Sequence, residues 1–154
     1  MNRRELIERF AAGPDAIEAA VAGASDEELD ARPGEGEWTA REIVHHTADG
    51  EIRSALRLRQ LLAEDDPVIQ GYDEASYARR LPYARPIGSS LRAIRATREA
   101  STEMLRLLTD EDFSRSGTHT EMPGERYSVD RWLEIYAAHC HDHAAQIERA
   151  LGKS

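Results

Sequence analysis

At 154 residues, with 40% hydrophobic and 32% charged side chains, the chain has the length and composition of one globular domain with a single core. A formal net charge of −9 excludes the basic balance that nucleic-acid binding needs, and no run of 18 apolar residues is present to span a membrane. The lone Cys140 excludes an intramolecular disulfide, and the opening MNRRELIERF lacks a signal-type apolar stretch, so a cytoplasmic protein is expected.

Helical periodicity runs first over residues 3–22, on Leu6, Ile7, Phe10, Ile17, Ala20 and Val21, with a kink or break predicted at Gly13-Pro14. Ser25, three residues before Glu28, caps a short turn in SDEELD, and ARPGEGEW is a loop. Thr39 and Glu42 then form a capping box that opens a second helix, carried to about residue 63 by Ile43, Val44, Ile52, Ala55, Leu58 and Leu62. Residues 64–86, with DDP, GYDE and two further prolines, predict a crossover holding one helical turn near residues 73–79. A third helix is predicted over 89–108. The polar loop DEDFSRSGTHTEMPGERY follows, and Ser128 caps a fourth helix that ends near residue 151, before Gly152.

No strand pattern rivals these. The expected fold is all-α: a four-helix bundle with a long crossover between helices two and three, one domain over residues 1–154. Arg53, Arg57 and Arg59, and again Arg92, Arg95 and Arg98, have acidic neighbours and are read as solvated, ion-paired faces.

Five of the six histidines fall in two windows, 45–46 and 139–143, and that concentration is the strongest chemical signal. His139 and His143 lie one turn apart and continue the stripe Val129, Trp132, Tyr136, so both face inward; His141 falls on the opposite side. Two stacked imidazoles facing a core need polar partners, and one metal ion satisfies both. The pair alone is weak evidence, because core histidines are common. A third ligand from helix two would strengthen it, but His45 and His46 lie on opposite sides of that helix's apolar face and the wheel does not choose between them.

The segment EWTAREIVHHTADGEIRSALRLRQLL resembles the start of helix two in the DinB-like superfamily. RYSVDRWLEIYAAHCHDHAAQI resembles that superfamily's last helix, with its HxxxH followed by a Gln-Ile pair. VIQGYDEASYARRL is similar to the YDE segment of the bacillithiol-transferase-like branch of metal-dependent hydrolases, departing from it at Gly71, where proline is usual, and at Tyr77, where tryptophan is common. The resemblance implies a metal triad of His46, His139 and His143, with His46 chosen because it immediately precedes TAD. It further implies a homodimer and transfer of a small-molecule thiol to an electrophile; for the divalent metal, all-imidazole ligation suits zinc, with nickel or iron as alternatives.

Three neutral imidazoles leave such an ion its full charge and an open position. Water there loses its proton near pH 7 and a thiol loses its own outright, so hydrolase and thiol S-transferase follow from the same electrostatics. His45, Asp49, His141 and Asp142 are candidates to orient the ligands. Tyr72, Asp73, Glu74 and the loop at His119 are candidates to line the pocket, and Cys140 is expected to pack quietly. Two non-enzymatic readings stay open: a metal- or ligand-binding module used in sensing or dimer assembly, and a metal-free bundle whose histidines respond to pH.

Overall fold

The computed structural model describes residues 1–153. The first predicted helix is two helices, α1 (Arg3–Ala11) and α2 (Gly13–Val21). Asn2 and Glu5 close a capping box on α1, while Pro14 sits in the first turn of α2, where its missing N–H is no loss. The break falls where the chain crosses the last helix: a Cβ on Gly13 would stand 2.8 Å from Cys140 Cβ, so only glycine permits this approach. Helix α3 (Asp26–Asp30) carries the Ser25–Glu28 capping box, and α4 (Ala40–Ala63) carries the Thr39–Glu42 box.

The crossover contains β1 (Val68–Ile69) and α5 (Glu74–Arg80), the latter capped by Asp73. Helix α6 (Gly88–Leu105) ends three residues before its predicted limit. The loop after it holds α7 (Asp110–Ser114), β2 (Ser116–His119) and β3 (Tyr127–Ser128). Helix α8 (Val129–Ala150) starts at the Ser128 cap, and Gly152, with φ of 71°, turns the chain out of it.

The bundle is formed by α1–α2, α4, α6 and α8, with α8 packed against α1, α2 and α4, and α4 also against α6. One core cluster gathers Phe10, Leu58, Leu61, Leu105, Trp132 and Leu133; the other gathers Ile17, Ile43, Val44, Ile94, Cys140 and Ile147. The small sheet was not expected. β1 runs parallel to β2, pairing Val68 with Thr118 and Ile69 with His119, and β3 is antiparallel to β2, pairing Gly117 with Tyr127. Strands of two to four residues are too short to display alternation. The sheet ties the crossover to the loop before α8, and so fixes the segment that passes beside the histidines. Among the described residues no helix is long and apolar enough to cross a membrane.

Candidate metal centre

α4 and α8 lie side by side, and each contributes to one cluster. Nitrogen atoms of His46, His139 and His143 all lie within 4.8 Å of one another. His46 is almost fully buried, its ring 4.7 Å from that of Trp38 and 4.9 Å from that of His143. Burial, reinforced by the two neighbouring imidazoles, lowers its pKa to about 3; burial and His139 likewise lower that of His143. Both rings are therefore neutral near pH 7, the form that binds metals.

The hydrogen-bond partners fix the tautomers. His139 Nδ1–H donates to Glu51 Oε1 at 2.8 Å, and a carboxylate can only accept. His143 Nδ1–H donates to the Gln146 carbonyl oxygen at 2.9 Å. With each Nδ1 committed in this way, the two Nε2 atoms are turned toward each other and stand 3.2 Å apart. Nitrogens bound 2.0–2.1 Å from one tetrahedral ion stand about 3.3 Å apart, so the spacing fits. His46 adds an orphan: its Nδ1 is buried without a partner, while its Nε2 is 3.8 Å from Glu74 Oε2. The donor set fits a divalent ion.

Glu51 is itself held in place. It and Arg98 are each 1% exposed and form a two-pronged ion pair at 2.5 and 2.6 Å; Arg98 also donates to the carbonyls of Phe10 and Tyr136. Burial alone would raise the Glu51 pKa, but the Arg98 charge and the His139 bond outweigh it and hold it at about 2. Glu51, His139 and Cys140 form a second donor group within 4.8 Å. Arg98 already supplies the cation there, and burial pushes the Cys140 thiol well above its usual range. That group is not a second metal site.

Several expectations are corrected. His45 is buried but turned away, bonded to Ser90 Oγ at 2.7 Å and to the Arg85 carbonyl at 3.0 Å. Asp49 accepts from the Tyr83 hydroxyl, His141 bonds the Arg9 carbonyl, and Asp142 is exposed; none of the four hydrogen-bonds a clustered histidine. Glu51 and Gln146 do that work instead. Gln146 was open to detection as the residue three beyond His143, whereas Glu51 gave no local signal. Arg57 and Arg98 are buried rather than solvated. Tyr72 and Glu74 do reach the site, Asp73 serves as a helix cap, and His119 packs on Tyr127 with its Nδ1 accepting from the Glu121 N–H.

Beside His46 and His143 opens a cleft of about 550 Å³, bordered by Trp38, Glu74, Gln146 and Arg149. That is the size of a small-molecule site. The cluster therefore has an accessible side.

The DinB superfamily model matches residues 9–147. A protein of Oceanobacillus iheyensis is 34% identical over 134 residues, covering 87% of this chain and 77% of its own length. YfiT of Bacillus subtilis is 34% identical over 136 residues, covering 87% of this chain and 75% of its own. Both carry the name "putative metal-dependent hydrolase". The solved structure of YfiT, described as an unusual four-helix bundle topology, superposes with a TM-score of 0.88 at 29% identity, over 99% of this chain and 89% of that one.

Proposed function

The chain belongs to the DinB superfamily, and from that premise we propose that it is a metal-dependent enzyme acting on a small molecule through His46, His139 and His143, its reaction being transfer of a low-molecular-weight thiol to an electrophile. The observation that carries this reading is the convergence of three histidines from two helices, their nitrogens within 4.8 Å of one another, with the Nδ1 atoms of His139 and His143 committed to acceptors and their Nε2 atoms facing each other at 3.2 Å. A divalent cation held there supplies the positive charge that makes a thiol or a water nucleophilic near neutral pH.

The chain's own residues do the rest. Glu51 and Gln146 hold the rings of His139 and His143 with their Nε2 lone pairs turned toward the centre, and Arg98 fixes Glu51. Trp38 packs edge-on against His46 and forms part of the wall of the cleft through which substrates enter. Hydrolysis is the second reading, favoured by the name the relatives share. A homodimer, which rests on family resemblance, and a cytoplasmic location, which rests on the lone Cys140, belong to the same proposal.

Metal analysis of tag-free protein tests the site. One equivalent of divalent metal per chain is expected, zinc first, with loss of at least tenfold in affinity for His143→Ala and for His46→Ala. A His143→Ala protein that holds as much metal as wild type would sink the proposal. The metal-loaded protein, screened with several cellular thiols and a chromogenic electrophile, should react where His46→Ala does not.

A further inference from the structure

Tyr72 stands at the edge of the centre with an unused hydroxyl. Its ring lies edge-on to Tyr77 at 4.8 Å, and the Arg53 guanidinium sits 4.2 Å over its face. The ring is thus clamped on two sides. The hydroxyls of Tyr77, Tyr83 and Tyr136 are all engaged, with Arg53, Asp49 and Arg57 respectively. That of Tyr72 has no hydrogen-bond partner among the described residues, although the side chain is partly buried.

Its position is marked by a glycine. Gly50 lies in the middle of α4, and a Cβ there would meet His139 Cε1 at 3.1 Å, His139 Nε2 at 3.5 Å and the Tyr72 hydroxyl at 3.7 Å. The Tyr72 hydroxyl and His139 Nε2 therefore both lie within 4 Å of one point above Gly50, on the same side of α4. Burial, and next the Glu74 charge, raise the Tyr72 pKa, so the hydroxyl keeps its proton at neutral pH and is available as a donor.

We propose that Tyr72 is a catalytic proton donor, giving its hydroxyl proton to the leaving oxygen of an epoxide-type electrophile during thiol transfer. The inference rests on the thiol-transfer reading above and names the class of second substrate. In the step, the thiol has already lost its S–H proton to water. A sulfur lone pair forms the new C–S bond, the C–O bond breaks with its electrons going to oxygen, and that oxygen takes the Tyr72 proton. Water then reprotonates the phenolate, so the net reaction adds a thiol across one C–O bond. An alkoxide is a much stronger base than a phenolate and gains from this proton; a chloride leaves without one.

The experiment compares wild type and Tyr72→Phe, both zinc-loaded, against styrene oxide and chloroacetamide with a panel of cysteine, cysteamine, coenzyme A and glutathione. Phenylalanine keeps the ring contacts with Tyr77 and Arg53. The expected loss is about 100-fold with styrene oxide and less than about threefold with chloroacetamide. Thiol binding to the cobalt-substituted proteins, followed by the sulfur-to-metal charge-transfer band, is expected to be the same in both. Equal losses with the two electrophiles, or no loss with either, overturn the role of Tyr72 and leave thiol transfer standing. Wild type that binds no thiol and transfers none to either electrophile overturns the thiol-transfer reading, and this inference with it.

Discussion

Glu51 shows how one side chain outside the triad governs it. It accepts the His139 Nδ1 proton while bound to Arg98 in the core, so it ties the orientation of the His139 ring to a buried ion pair. Breaking such a pair from one side leaves a buried charge and costs about 3–5 kcal/mol, whereas replacing both partners with apolar groups is often close to neutral. Glu51→Leu alone should therefore lower stability steeply in urea denaturation. Adding Arg98→Met should recover most of that loss, short of the hydrogen bonds Arg98 gives to the Phe10 and Tyr136 carbonyls. Metal affinity should stay about 10–100-fold below wild type in both, because His139 has lost its anionic partner. A double variant with wild-type metal affinity in a zinc titration would show that Glu51 serves only the fold.

At the scale of the helix, α4 carries a contradiction that its neighbours explain. Gly50 occupies the interior of a 24-residue helix, where glycine costs about 1 kcal/mol relative to alanine. Gly50→Ala should consequently leave the melting temperature unchanged or slightly higher. It should also weaken metal binding about tenfold, because its Cβ would press on His139 at 3.1 Å. Equilibrium dialysis with zinc checks this, and unchanged affinity would mean that His139 yields freely. The same helix marks what sequence could deliver. Its start at the Thr39–Glu42 box and its end near Ala63 depend on residues within a turn of each boundary, and they were legible; so was the i, i+4 pairing of His139 with His143. The Glu51–Arg98 pair joins side chains 47 positions apart in helices that look, each by itself, like charged solvated faces. Local pattern cannot separate a buried arginine from an exposed one. The β1–β2 pairing is equally non-local, and its strands are too short to carry a period. His46 was reached through likeness to a family, since the wheel left it level with His45.

Across the whole molecule, the cluster joins α4 to α8, but the packing that joins those helices does not depend on it. Phe10, Leu58, Trp132 and Leu133 fill one side of the bundle, and Ile17, Ile43, Ile94 and Ile147 the other, all almost fully buried. The chain should thus stay folded without metal, unlike a small domain organised around a closed structural site. Binding to the native state alone adds RT ln(1 + [M]/Kd), about 2.7 kcal/mol at a hundredfold excess of free metal over Kd. For a chain of this length each kcal/mol raises Tm by roughly 2–4 °C, so the expected rise is about 5–10 °C. Zinc titrated into chelator-treated protein should give that rise for wild type and none for His143→Ala, with a cooperative transition retained by both. Collapse of the metal-free wild type to an unfolded chain in circular dichroism would make the ion a structural staple. It would also remove the reason to expect an open coordination position beside the cleft.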